Sequence, residues 1–273
     1  MTETVGRPEE ADPVDVLLVL AENPGPMTLA GTNTYVLRDG DQVWVVDPGP
    51  KLVEHLAETL TACGLPDPIR PMGIVVTHAH LDHTEAAGTL RRQLESRTGQ
   101  EVPLWAADPS ALPGARSVPA ELVGDQGVVA HVVHLPGHTA DSIALLVEGG
   151  RLLSGDTLLG GSSTVIAPPD GDLGEYLHSL EVLRAFAQDG RISAILPGHG
   201  PSYDTPLEAL SAIEAAITHR HERIDQVRTA RAAGILTMDR LRQVVYGADL
   251  DPSLRRAADG NLRATLEYLA ASE

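Results

Sequence analysis

The chain has 273 residues, 42% hydrophobic and 21% charged, enough to bury a substantial core in one large or two unequal domains. A formal net charge of −18 argues against nonspecific attraction to polyanions, and a single cysteine, Cys63, excludes an intrachain disulfide and a cysteine-rich structural zinc site. The N-terminus is polar and acidic without a basic segment leading into an apolar one, and the apolar run Val16–Ala21 is far below the ~18 residues of a membrane span, so a cytoplasmic protein without an anchor is expected.

In chain order, strands are predicted at Val14–Val19, Tyr35–Leu37, Gln42–Val46, Gly73–Thr77, Val102–Ala106, Ala130–His134, Ile143–Val147, Arg151–Ser154 and Ile192–Leu196. Helical periodicity between them predicts Lys51–Cys63, Thr84–Arg97 and Leu173–Ala187, which makes an α/β layered domain. Cys63 ends the first of these helices and reads as a packed core thiol. From Thr205 the pattern is helical only. Leu207, Leu210, Ile213, Ile217, Ile224 and Val227 form one apolar stripe, and where it skips a turn Arg220 and His221 flank it and can lean toward the first domain. Helices over Met238–Tyr246, with Thr237 as N-cap, and over Pro252–Ala270 follow. The expected division is a catalytic domain over 1–204 and a small helical domain over 205–273. Residues 201–273 carry 9 Arg against 11 acidic residues, so this part repels a polyanion least.

The chemistry concentrates where apolar runs end. His78, His80, Asp82 and His83 lie within six positions, after the run Gly73–Val76 and before a helix expected near Thr84. A strand-to-helix turn can aim several such side chains at one point. His138 and His199 each occur in Pro-Gly-His just after an apolar run, and Asp156 follows Ser154-Gly155. Counting ligands points to two metals: His78, His80 and His138 hold one, Asp82, His83 and His199 the other, and Asp156 bridges. Each metal keeps an open position for a shared water or hydroxide, as a catalytic site requires. Two cations ~3.5–4 Å apart would acidify that water and stabilise the charge that builds as it attacks a carbonyl or phosphorus. Imidazole-rich ligation suits two Zn²⁺, with Mn²⁺ or Fe admissible. Asp82 and Asp156 take the catalytic assignment. Ser142, with Asp141, is a candidate for substrate contact or shapes the loop after His138. Asp47, before Pro48-Gly49, reads alone as a turn residue.

With Asp47 in Val45-Val46-Asp47-Pro48-Gly49, the set His78, His80, Asp82, His83, His138, Asp156 and His199 resembles the metallo-β-lactamase superfamily over about residues 14–203. The resemblance implies an αββα sandwich with the metals at one edge of the sheets, and an Asp47 that orients the ligand loops. Zinc β-lactamases of the commonest subclass carry Cys where Asp156 stands, and flavodiiron oxidoreductases usually carry Glu where His80 stands; the pattern is similar to the thioesterases and phosphodiesterases of the fold. Asn23-Pro24-Gly25-Pro26, Leu29 to Tyr35 and His219 to Arg223 further resemble the branch of β-lactamase-like protein 2, zinc endoribonucleases acting on single-stranded RNA with a small winged-helix-like C-terminal domain. That likeness implies that Asn33, Thr34 and Tyr35 line the metal cleft; read alone they are a polar strand start. Arg220 and His221 join them as substrate-binding candidates.

The expected function is therefore dinuclear zinc hydrolysis of a phosphodiester in single-stranded RNA by a bridging hydroxide. A thioester hydrolase resembling glyoxalase II is the alternative, and a non-catalytic metal-binding scaffold or sensor is the third. Arg220, Arg223, Arg228, Arg231, Arg240 and Arg242 could meet phosphates, but Glu222, Asp225 and Asp239 are interleaved as on a solvated helix face. One Phe, two Trp and five Tyr offer few base-stacking platforms. The expected partner is a short single-stranded RNA or a small ester or thioester, with no membrane.

Overall fold

The computed structural model describes residues 14–272. Strands β1 (Asp15–Leu20), β2 (Asn33–Asp39), β3 (Gln42–Val46), β4 (Arg70–Val75), β5 (Leu104–Ala106) and β6 (Arg116–Ser117) form a six-stranded sheet in sequence order. A five-stranded sheet runs β11 (Ala194–Pro197), β10 (Arg151–Gly155), β9 (Ile143–Val147), β8 (Gly127–His134), β7 (Glu121–Gly124). The helices are α1 (Val53–Ala62), α2 (Leu81–Thr84), α3 (Ala87–Thr98), α4 (Leu173–Gln188), α5 (Pro206–Ala232), α6 (Met238–Tyr246) and α7 (Arg255–Ser272).

The period of two along the strands builds the layers. In β3, Trp44 and Val46 face the second sheet and share a core with Leu122, Ile143, Leu145 and Leu153. Val43 and Val45, one residue out of step, pack instead with Leu56, Leu60, Leu90 and Leu94 of α1 and α3. β9 repeats this: Ile143 and Leu145 point to the first sheet, Ala144 and Leu146 to Leu173, Leu180 and Leu183 of α4. With both faces covered, these strands read as unbroken apolar runs. Each fully buried Leu or Ile of this kind contributes about 1.5–3 kcal/mol. Cys63 lies wholly inside the α1–α3 layer, and burial pushes its thiol up to about 12, so it is a packed, protonated thiol.

Differences from the sequence reading have local causes. β6 and β7 were not foreseen, because two exposed residues and a four-residue run ending in Gly carry almost no periodic signal. Helix begins at Leu81, with His80 as the residue before it, so Asp82 and His83 lie on a helical turn rather than in a loop. Thr237 precedes α6 as expected, without a side-chain capping bond. Thr205 caps α5, its hydroxyl accepting from the Glu208 backbone N–H while Glu208 reaches back to the Thr205 N–H. Leu207 is 74% exposed and lies outside the stripe. The buried line on α5 runs Ala209, Ile213, Ile217, Arg220, Ile224, Val227, so Arg220 occupies the turn that the apolar spacing skips. Ile213, Ile224, Leu241, Val245, Leu262 and Leu269 continue one core with α4, which seats α5, α6 and α7 on the second sheet's outer layer. Among the described residues no helix is long and apolar enough to cross a membrane.

Strand directions bring the chemistry together. β3 is parallel to β4; β8 and β10 are each antiparallel to β9; β11 is parallel to β10. The carboxyl ends of β8, β10 and β11 thus share one edge of their sheet, as those of β3 and β4 do of theirs. The sheets are joined at that edge by Ile143 N–H to Thr77 O (2.8 Å) and Asn33 N–H to Gly198 O (2.8 Å).

Candidate metal centre

Asp47 follows β3, His78 and His80 follow β4, His138 follows β8, Asp156 follows β10 and His199 follows β11. Their ligand atoms gather into two groups, His78, His80, His138 and Asp156 in one and Asp82, His83 and His199 in the other, each with its atoms within 4.8 Å of one another. Asp156 faces both: Oδ2 lies 3.7 Å from His138 Nε2 and 3.5 Å from His199 Nε2, while Oδ1 lies 3.5 Å from His83 Nε2. Asp82 Oδ2 is 3.1 Å from His199 Nε2 and 3.4 Å from His83 Nε2. His80 is exposed and Asp82 half-buried, so these two mark the mouth; His78, His83, His138 and His199 are buried.

Four of the imidazoles are turned by bonds on their outer nitrogens. Nδ1 of His83 meets Asp47 Oδ2 at 2.9 Å, that of His138 meets Val165 O at 2.7 Å, that of His199 meets Gly31 O at 3.1 Å, and that of His78 meets Thr77 Oγ1 at 3.0 Å. Because carboxylate and carbonyl oxygens only accept, Nδ1 carries the proton of the neutral ring in the first three, and Nε2, the nitrogen that would bind a metal, points inward. Thr77 Oγ1 donates to Asp47 Oδ2 (2.7 Å), which leaves it to accept from His78 and gives that ring the same tautomer. The inward nitrogens then crowd: His80 Nδ1 sits 2.9 Å from His78 Nε2 and 3.1 Å from His138 Nε2, and one proton on His80 can serve only one of them. Asp156 Oδ1 is buried without a hydrogen-bond partner. Convergent lone pairs beside an orphaned carboxylate oxygen fit divalent cations, and five imidazoles with two carboxylates suit a borderline metal.

Charge reinforces this. Burial would depress the pKa of His83, but the carboxylates of Asp47, Asp156 and Asp82 outweigh it and raise it to about 9. His199 is likewise opposed by burial and carried up to about 10 by Asp156 and Asp82. Burial would raise Asp156, yet His83, His199 and His78 hold it well below the ordinary carboxylate range. Burial pushes His78 well down and lowers His138. Both His83 and His199 therefore bind protons more tightly folded than unfolded. Their stabilisation of the metal-free protein is complete below the unfolded value of about 6.5 and is lost as pH rises through 9 to 10. Metal must displace these protons, so uptake near pH 7.5 is expected to release about two per chain. Calorimetry in buffers of different ionisation enthalpy checks this; uptake without proton release would contradict it.

Asp47 has φ of 51°, in the left-handed region that non-glycine residues seldom adopt. The turn aims one carboxylate at three donors: Thr77 N–H (2.7 Å), Thr77 Oγ1–H and His83 Nδ1–H. Asp47→Asn keeps the backbone, since Asn tolerates this region, but presents a donor where only acceptors fit. Metal affinity is expected to fall about 10–100-fold, read by competition with a chromogenic chelator. Unchanged affinity would show that Asp47 does not orient the ligand loops.

The expected substrate contacts are placed otherwise. Asn33 Nδ2 donates to Pro197 O and Gly200 O, Tyr35 O–H donates to Pro197 O, and Thr34 Oγ1 donates to Asp47 O; all three residues are buried. They brace the His199 and Asp47 loops from behind rather than line the cleft. Ser142 is buried and bonded to Thr139, so it shapes the loop. His221 is exposed on α5, flanking the buried stripe next to Arg220. Arg220 is buried, donates to Thr164 O and to Asn261 Oδ1 (3.3 Å), and lies 5.1 Å from the Tyr176 ring centre. Thr164 Oγ1 donates to Asp156 O, Ile166 N–H donates to Asn261 Oδ1, and Val165 O holds His138. Arg220 thus clamps the loop behind two ligands. The sequence reading missed Thr77, Asn261 and Thr32, whose hydroxyl lies 3.3 Å from Asp82 Oδ2 and is fixed by Asn23.

A family model described as the metallo-β-lactamase superfamily matches residues 27–199. A β-lactamase-like protein 2 homologue of Caenorhabditis elegans is 30% identical over 263 residues, 93% of this chain and 83% of that protein. An atrochrysone carboxyl ACP thioesterase of Aspergillus fumigatus is 34% identical over 189 residues, 68% of this chain and 56% of that protein. The crystal structure of a β-lactamase domain protein from Burkholderia ambifaria superposes with a TM-score of 0.74 at 23% identity, covering 100% of this chain and 91% of that one, a likeness of fold. The chain belongs to the metallo-β-lactamase superfamily of hydrolases, and its His/Asp cluster stands at the edge of the two sheets.

Proposed function

We propose that the protein is a two-zinc hydrolase that cleaves thioesters, with His78, His80, Asp82, His83, His138, Asp156 and His199 as metal ligands. One observation carries the choice of substrate: four of the six arginines that an RNA track would need are already engaged. Arg220 is bonded to Thr164 and Asn261, Arg228 to Asp225, Arg240 to Gln243, and Arg242 to Asp239 and Asp259. In a chain of net charge −18 this leaves little to neutralise a run of phosphates. A thioester asks only for one carbonyl at the metals and a place for its acyl group. The leaving groups differ in the same sense. A thiol of pKa ~8.5 departs as thiolate without a proton donor, whereas an alkoxide leaving RNA needs one.

Two divalent cations here would acidify a water and stabilise charge on the carbonyl oxygen. Asp156 holds the two ligand groups together. Asp82, at the mouth with its Oδ2 beside Thr32 Oγ1, can accept a proton from the attacking water. The dense imidazole set favours zinc over manganese.

The second reading, a single-stranded-RNA endonuclease, is supported by similarity to the β-lactamase-like protein 2 homologue over 93% of the chain. The test is metal analysis followed by one panel: S-lactoylglutathione, a longer acyl thioester, single-stranded RNA and a chromogenic cephalosporin. Thioester hydrolysis that disappears with chelator and returns with Zn²⁺ is expected. RNA cleavage as the dominant activity, abolished by Asp156→Asn, would replace the thioester reading; RNA cleavage that survives Asp156→Asn would mark a contaminant.

A further inference from the structure

A cavity of about 230 Å³ lies between α5, the α6–α7 segment, the 159–165 loop and the loop bearing Met27. That volume is below the ~300–1,000 Å³ of a site for a whole drug-sized ligand, so the cavity suits part of a molecule. Its walls are apolar through Met27, Leu250 and Leu254, and among the described residues none of those lining it is acidic, in a chain of net charge −18.

Its polar side is one oriented guanidinium. Arg223 donates Nε–H to His219 Nε2 (3.3 Å) and Nη1–H to Gln226 Oε1 (2.9 Å) and to Val245 O, and the group lies over the Tyr246 ring at 4.8 Å. No protein acceptor among the described residues takes the Nη2 hydrogens. Among the described residues lining the cavity Arg223 is the one Arg, Lys, Asp or Glu, and burial, Arg220 and Arg223 together lower the pKa of His219 beside it. A fixed guanidinium edge within apolar walls recognises an apolar molecule with a carboxylate.

The cavity also adjoins the metal centre through shared backbone. Val165, which lines it, accepts the Nδ1–H of His138 through its carbonyl. Met27 stands in the loop that ends at Gly31, whose carbonyl holds His199.

We propose that this cavity is the acyl subsite of the active centre, taking a short apolar acyl group that ends in a carboxylate, with the carboxylate on Arg223. Its place in catalysis rests on the thioester reading; its recognition of an apolar carboxylate does not. Calorimetry on the metal-loaded protein with hexanoate and hexanamide tests recognition. Hexanoate is expected to bind at least about tenfold more tightly, a preference erased by Arg223→Gln at unchanged metal content. Leu254→Trp, which fills the cavity, is expected to weaken both ligands. Hexanoate affinity retained in either variant overturns the subsite, since binding at the metals alone would behave that way. Kinetics with glutaryl and pentanoyl thioesters then separate the two ideas. A glutaryl preference in kcat/KM that Arg223→Gln abolishes supports the acyl assignment, and turnover without that preference overturns it. Hexanoate recognition with no thioester turnover removes the thioester reading and upholds the cavity as an anion site.

Discussion

Asp156→Asn is expected to lower kcat/KM about a thousandfold, roughly 4 kcal/mol in activation free energy, with the fold intact. The substitution preserves shape and removes one negative charge from the point where both ligand groups meet. Asp156 Oδ2 lies 3.5 Å from His199 Nε2 and 3.7 Å from His138 Nε2, and Oδ1, 3.5 Å from His83 Nε2, has no hydrogen-bond partner among the described residues. An amide would turn N–H toward the inward nitrogens or toward a cation, and either arrangement costs affinity. Metal analysis should find at most one tightly held ion per chain. In chelator the melting curve should shift down only modestly, because protonated His83 and His199 lose one of their counter-charges while no packing is lost. Two tightly held ions and a full rate in this variant would sink the dinuclear assignment.

Gly198→Ala is expected to be nearly as damaging, although residue 198 bears no functional group. A Cβ there would lie 2.5 Å from Asp156 Oδ1 and 2.9 Å from His83 Cε1, and one of the two ligand groups must yield. The backbone cannot retreat, since Gly198 N–H donates to Gly155 O and Gly198 O accepts from Asn33 N–H, both at 2.8 Å. We expect metal affinity and kcat/KM to fall at least about a hundredfold and stability to drop by about 1–3 kcal/mol from overpacking. Chelator competition and a denaturant melt measure the two separately. Wild-type metal content would mean that Asp156 has room to move and that its position is less constrained than these distances require.

Gly137 shows the same logic in the other Pro-Gly-His. Its φ is 129°, and a Cβ would meet the Tyr176 backbone nitrogen at 2.2 Å. The repeated dipeptide marks two places where chain, helix and ligand approach too closely for any side chain.

The ligand set was legible in the sequence because metal chemistry uses few residue types and strand ends leave a recognisable mark. His138 and His199 could be paired with His78 across large separations since each stood after an apolar run. The supports were not legible. Asn33 and Tyr35 donate to backbone carbonyls of Pro197 and Gly200, partners about 160 residues away that no local pattern announces. The layered core was readable from unbroken apolar strands, whereas β6, exposed and two residues long, gave nothing to read. Arg220 was noticed for its place beside the stripe on α5, and the spacing Ile217, Arg220, Ile224 already contained the correct answer: it occupies a buried position.

The clamp of Arg220 and Asn261 on residues 164–166 has a consequence for modularity. The C-terminal helices supply part of the scaffold that fixes His138 and Asp156, so they are not an interchangeable specificity cassette. A chimera that exchanges them between relatives must carry the 159–166 loop along with them, because helices and loop are bonded into one unit.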